Sequence, residues 1–281
     1  MYTVYRVNSP LKFDGTLTDA AWQAVPKSPA FSDMATGQPA PLETRAAALW
    51  DDECLYIGFW IEEPYPAAEL TARDSIIFLE NDVEVFIDGG DCYYEFEMNA
   101  RNTLYEVFFI WRDAYQRGGR FDLPEFDVFN PNAVTFGGDF DRTPETFWRG
   151  THPRGLRWAF LDWDFPGVQS AVHIDGELNN PAVRSRGWTA EIRFPWAGMT
   201  PLANGRSLPP TEGDIWKLFF GRFENFYFGG RKTQAAWCWT PHGIADTHQP
   251  ERFTPISFSA QDVETVAPAP QAVAEAAKPG V

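Results

Sequence analysis

The stretch Asn81–Ile110, NDVEVFIDGGDCYYEFEMNARNTLYEVFFI, constrains the fold more than any other part of this chain. Apolar and polar residues alternate through much of it, as in half-buried strands, and Asp88-Gly89-Gly90-Asp91 and Ala100–Thr103 punctuate it. This predicts three antiparallel strands. A two-residue turn at Gly89-Gly90 sets Asp88 opposite Asp91, Val85 opposite Tyr94 and Glu84 opposite Glu95. One face then carries Val83, Val85, Ile87, Cys92, Tyr94, Phe96 and Met98, which is a core face. The other carries Asp82, Glu84, Phe86, Asp88, Tyr93, Glu95, Glu97 and Asn99. With Asn99 opposite Leu104, the third strand adds Glu106 and Phe108 to the acidic face and Tyr105, Val107 and Phe109 to the core.

The acidic face so drawn has no Lys or Arg on it. Opposed like charges destabilise a sheet, so an arginine from another strand, a bound cation or a hydroxyl-rich ligand is expected to offset them, unless they simply point at water. Arg45, Arg73 and Arg222 are the candidate countercharges. Arg222 stands among Phe219, Phe220 and Phe223, and a guanidinium in such a strand needs a dedicated carboxylate.

The rest of the chain repeats the short-strand pattern. Tyr2–Val7, Thr44–Trp50, Cys54–Ile61, Val168–Ile174, Trp188–Phe194, Asp214–Phe223, Ala236–Trp239 and Phe253–Phe258 all read as strands. Thr18 or Asp19 is placed to cap a short helical turn that inserts Trp22, and Pro195–Met199 forms another. With few helices and frequent Gly and Pro, this predicts an all-β, antiparallel β-sandwich in a single domain over residues 1–260. Residues 112–166 form a long irregular insertion, too polar for core and too aromatic for a linker. From Gln261 to Val281 the Ala/Pro-rich composition predicts a disordered tail. A net charge of −16 argues against nucleic acid as a partner, and no apolar run is long enough to span a membrane. Cys54, Cys92 and Cys238 lie too far apart for a zinc site and read as buried thiols. The N-terminus has no signal peptide, so the chain as read is cytoplasmic, or secreted or periplasmic if Met1 was added to a mature form.

The order of motifs FDGTLTDAAW (13–22), LWDDECLYIGFWIEEP (49–64), NDVEVFID (81–88), YYEFEMN (93–99), GWTAEIRFPW (187–196), GDIWKLFFGRFE (213–224) and PERF (250–253) resembles the family 9 carbohydrate-binding modules. The resemblance implies a sandwich of immunoglobulin- or jelly-roll-like appearance, often with bound calcium, and a site that clamps a sugar end between two tryptophans. It carries the family's sugar-binding glutamate onto Glu84 and its asparagine onto Asn99, while the arginine two residues before that asparagine is Glu97 here. Phe78 and His248 fall near the two clamp positions.

Three chemistries fit these residues. Glycan binding would use Glu84, Glu97 and Asn99 together with aromatic faces, Trp148, Trp158 and Trp163 folding over them beside Arg149, Arg154 and Arg157. Calcium would take carboxylates in turns, with Asp51, Asp52, Asp88 and Asp91 foremost and Asp14 beside them. A carbohydrate-active enzyme would use Glu84 with Glu95 or Glu97 as paired carboxylates. His242, Asp246 and His248 offer a further metal set, and Met98 a haem ligand. A non-catalytic carbohydrate binder is the reading that uses most of these features, with its ligand above the acidic face and under the insertion.

Overall fold

The computed structural model describes residues 1–137 and 152–266. Fourteen strands build it. They are β1 (Tyr2–Arg6), β2 (Ser32–Asp33), β3 (Thr44–Trp50), β4 (Cys54–Glu62), β5 (Asp82–Asp88), β6 (Cys92–Asn99) and β7 (Leu104–Trp111). Then follow β8 (Ala133–Phe136), β9 (Arg157–Phe160), β10 (Gln169–Asp175), β11 (Gly187–Pro195), β12 (Ile215–Phe228), β13 (Arg231–Cys238) and β14 (Thr254–Asp262). The hydrogen-bonded order is β10-β11-β4-β3-β1-β14-β12-β5-β6-β7-β9-β8, with β13 paired to β12 and β2. β1 is parallel to both its neighbours, β3 and β14, and joins the two halves of the sheet. The halves meet face to face, with Phe59 of β4 against Phe220 of β12 at 5.5 Å and Phe96 of β6 against Phe194 of β11 at 5.4 Å. The sheet does not close into a barrel, and the fold is an all-β sandwich.

The β5–β6 hairpin turns one residue later than its glycines suggest. Gly89 N donates to Cys92 O at 2.9 Å, so Gly90-Asp91 is the loop pair, with Gly90 at φ +76°. Asp88 therefore faces Tyr93, Val85 faces Phe96 and Glu84 faces Glu97. The shift is two residues, which leaves every side chain on its expected face. Val83, Val85, Ile87, Phe96 and Met98 are all fully buried in the main interior, so Met98 is a core residue.

The β6–β7 register differs by one residue, and that flips the third strand. Met98, not Asn99, faces Leu104. The cause is a three-residue loop: Asn99 N donates to Thr103 O, and Asn102 takes a left-handed conformation at φ +64°. Phe108 thus points into the main core, while Tyr105, Val107 and Phe109 share the face of Glu95 and Glu97. Glu106 is carried into the interior, where it accepts from Tyr94 Oη and Phe165 N and pairs with Arg73.

The insertion adds β8 and β9 to the sheet edge and sends Trp163 and Phe165 into the core beside Tyr94. At the C-terminal end, Gln261 and Asp262 finish β14 and Val263 is fully buried, so the ordered chain continues past 260. The disorder expected for the tail otherwise falls on 267–281, outside the described residues. The helical turn α1 (Ala20–Ala24) buries Trp22, whose Nε1 donates to Glu191 Oε1 at 2.9 Å. Asp19 precedes this turn without a side-chain capping bond. All three cysteines are buried thiols.

Candidate functional site

The acidic face of β5 and β6 is not open. Asp82, Glu84, Glu95, Glu97 and Asn99 are all buried, none more than 5% exposed. Their face carries a second apolar cluster of Phe86, Tyr93, Val107, Phe109, Trp111 and Phe219, flanked within the sheet by Ala159 and Cys238 and packed against Met34 and Phe253. Met34 comes from the segment after β2 and Phe253 from just before β14. Burial pushes the Glu95 carboxyl up to about 8, and it pushes Asp82, Glu84 and Glu97 well above the ordinary carboxylate range. The expected ligand position above this face, roofed by the insertion, is therefore sealed by protein.

Each expected contact has a structural place. Asn99 is fully buried: its Nδ2 donates to Leu70 O and Glu80 Oε2, and its Oδ1 accepts from Arg101 N and Thr103 N. It organises the β6–β7 loop and has no face toward a ligand. His248 lies inside the second cluster, with Nδ1 3.1 Å from Tyr93 Oη and its ring 4.5 Å from that of Phe136. Burial, then Arg157, holds its pKa well below the usual histidine value, so the ring is neutral. Trp163 is core, packed on Phe108 at 4.7 Å. Trp158 is half-buried on β9 with Arg112 over its ring, and Phe78 is 37% exposed with its ring edge-on to Tyr105. Trp148 and Arg149 lie outside the described residues. Arg157 is fully buried against the rings of Tyr93, Trp111 and Phe136 and donates to His248 O, while Arg154 pairs with Asp91 and Asp113.

None of the three candidate countercharges pairs with Asp82, Glu84, Glu95 or Glu97. Arg45 pairs with Glu43 and Arg73 with Glu106 and Asp164. Arg222 has the dedicated carboxylate expected of it, but on the opposite face of β12, where Nη2 lies 2.7 Å from Glu224 Oε2 and 4.0 Å from Glu63 Oε2.

The turn aspartates do not form one cation site. Asp51 Oδ1 accepts from Glu53 N and Cys54 N and its Oδ2 from Tyr56 Oη, while Asp52 pairs with Arg6. Asp88 Oδ1 accepts from Gly90 N, Asp91 pairs with Arg154, and Asp14 pairs with Lys12. Protein donors thus engage carboxylate oxygens that a calcium ion would need. His242 Nδ1 donates to Asp246 O, a backbone atom, and His248 N donates to Asp246 Oδ1, so these contacts do not bring the three side chains together as a metal set.

The accessible site lies elsewhere. A cleft of about 710 Å³ opens where β4, β5 and β12 run out into the loops at 63–69, 79–81 and 179–184. Its floor is an acid–amide–acid bridge. Asn81 Nδ2 donates to Glu63 Oε1 at 2.7 Å and to Glu224 Oε1 at 3.0 Å. Beneath it, Trp188 Nε1 donates to Glu63 Oε2 at 2.6 Å and Arg222 Nη2 to Glu224 Oε2 at 2.7 Å. Each carboxylate oxygen thus has one donor, and with Glu63 1% and Glu224 5% exposed this floor is a buried support beneath the cleft. Burial raises the Glu224 carboxyl to about 7, with Arg222 acting against that rise. Asn179, Asn180, Arg184 and Lys232 line the walls, and Tyr65 and Tyr227 stand exposed on the rim. Neither Glu84 nor Glu97 lines this cleft. Of the residues singled out from the sequence only Arg222 contributes, from below its floor. Glu63, Asn81, Trp188 and Glu224 were not singled out as site residues. Glu63 and Glu224 sit in the motifs at 49–64 and 213–224, but only folding reveals their common partner.

Residues 13–116 match the family model described as carbohydrate family 9 binding domain-like. The chain resembles the family 9 carbohydrate-binding domains. Solved structures agree with that resemblance at the level of fold. A nominally carbohydrate-binding protein of Bacteroides uniformis aligns with a TM-score of 0.56 and 15% identity, over 92% of this chain and 98% of the other. A family 9 carbohydrate-binding module of Caldicellulosiruptor kristjanssonii in complex with cellotriose aligns with a TM-score of 0.52 and 14% identity, over 95% and 98%. In complex with glucose, a family 9 module of the same organism aligns at 0.50 and 14%, over 93% and 96%. No curated protein sequence matches the chain.

Proposed function

We propose that this protein is a non-catalytic carbohydrate-binding protein whose sugar lies in the cleft floored by Glu63, Asn81 and Glu224. The family 9-like segment and the complexes of similar folds with cellotriose and glucose support the ligand class. The observation that carries the location is the pairing of polar walls, set on an ordered floor, with exposed tyrosines in one cleft. Asn179, Asn180, Arg184 and Lys232 on the walls can hydrogen-bond sugar hydroxyls, and Tyr65 and Tyr227 offer flat faces for the apolar side of a ring. The cleft volume falls within the range of about 300–1,000 Å³ usual for small-molecule sites.

Calorimetry with cellotriose and a panel of soluble oligosaccharides tests this reading. Tyr65→Ala and Tyr227→Ala should each weaken binding by about 2- to 12-fold, the value of one aromatic contact. Unchanged affinity in both variants would move the sugar out of the cleft. Absence of binding across the panel would overturn the ligand class, and product formed on prolonged incubation would overturn the non-catalytic assignment.

A further inference from the structure

The sealed face of β5 and β6 carries a feature that the cleft does not explain. Asp82, Glu84 and Glu97 are 1%, 2% and 1% exposed, and each offers an oxygen within 4.8 Å of the other two. Independently of that spacing, Asp82 Oδ2, Glu84 Oε2 and Glu97 Oε2 are buried oxygens with no hydrogen-bond partner. Folded proteins rarely leave such atoms unsatisfied, and three in one place call for a group that supplies positive charge without needing hydrogen-bond geometry.

The surrounding elements hold the three carboxyls close together. Glu84 and Glu97 are directly opposed across β5 and β6, and Gly221 of β12 lies on the other side of Glu84. A Cβ at Gly221 would meet the Phe219 ring at 2.6 Å and Glu84 Oε2 at 3.3 Å. Two oxygens on one ion can be no farther apart than twice the metal–oxygen distance, which is about 4.6–5.2 Å for calcium and about 4.0–4.2 Å for magnesium. The three oxygens are no farther apart than 4.8 Å, a bound compatible with calcium. Protonation alone would neutralise the carboxyls, and burial does favour the neutral forms. A protonated carboxyl can also donate its O–H to an opposed oxygen, so a shared proton is the competing arrangement, and it predicts no metal uptake.

We propose that Asp82, Glu84 and Glu97 bind a hard divalent cation, best matched by calcium, that cross-links β5 to β6 beneath the covering layer. This goes beyond the carbohydrate reading, since none of the three lines the cleft. The ion replaces the missing arginine of this face and fastens the strand that leads from Asn81, in the cleft floor, to the core.

The test uses the full chain, stripped with chelator and dialysed, then titrated with calcium, magnesium or manganese chloride. Elemental analysis should find one calcium per chain. The melting temperature should rise by about 5–10 °C at a hundredfold excess over Kd. No stoichiometric metal and no shift with any of the three ions would overturn the proposal. The Glu84→Gln/Glu97→Gln variant should lose both uptake and shift, and full retention of both would place the ion elsewhere and overturn it equally. If that double variant does not fold, Asp82→Asn should need at least tenfold more calcium for the same shift, and an unchanged requirement is a refutation. Cellotriose calorimetry on the same samples keeps the two readings apart: loss of sugar binding with calcium uptake intact bears on the cleft alone.

Discussion

Replacing Arg222 by methionine asks how much of the fold rests on one buried cation. Arg222 is 1% exposed, and its guanidinium donates to Glu224 Oε2 at 2.7 Å, Thr44 Oγ1 at 2.8 Å and Glu62 O at 2.9 Å. Methionine fills much of the same volume but leaves Glu224 and Glu63 as two buried acids with no cation between them. Breaking such a pair from one side costs about 3–5 kcal/mol, because the remaining charge stays desolvated. The cost should depend on pH. With its carboxyl raised from 4.5 to about 7 by burial, Glu224 binds its proton more tightly in the folded chain than in the unfolded one. Its contribution to stability is therefore complete below about pH 4.5 and is lost as pH rises through about 7. Without Arg222 that carboxyl rises further, so the variant should be near its full deficit at pH 8 and closer to wild type at pH 5. Urea unfolding followed by tryptophan fluorescence at both pH values measures the difference. A loss below about 1 kcal/mol at pH 8, or a deficit larger at pH 5 than at pH 8, would refute the argument.

Two further outcomes test the registers. Val85→Asp places an unpaired charge at a fully buried position opposite Phe96 and should abolish cooperative thermal unfolding above room temperature; near-wild-type melting would show that Val85 does not face the interior. Asn99→Ala removes four hydrogen bonds that shape the β6–β7 loop, so circular dichroism melts should show destabilisation of about 1–3 kcal/mol, and an unchanged melt would mean that loop length alone sets the register.

The cleft proposed for carbohydrate and the acid cluster stand on opposite sides of the same strand pairing. β12 presents Arg222 and Glu224 toward the interior and cleft, and Phe219, Gly221 and Phe223 toward the acid cluster. Asn81 and Asp82 are adjacent in sequence, and Asn81 bridges the cleft floor while Asp82 belongs to the cluster. A cation at Asp82, Glu84 and Glu97 would therefore steady the residue that joins Glu63 to Glu224.

Period-2 alternation alone determined which residues of β5 and β6 enter the core, because successive side chains on a strand point to opposite faces whatever the partner. That is why a two-residue register error in the first hairpin left Val85, Phe96 and Met98 in place. The same rule made the third strand illegible: a loop of three rather than four residues reversed it, and Glu106 entered the interior in place of Val107. The all-β class and the three buried thiols were likewise written in the local pattern. Only the tertiary structure decided what covers the acidic face, since Met34 and Phe253 reach it from distant segments and nothing in their local sequence names their target. The cleft is of the same kind. Glu63, Asn81, Trp188 and Glu224 are individually unremarkable in the chain, and they become a site because strand order places β4 beside β11 and β5 beside β12, so that Asn81 can bridge the two acids.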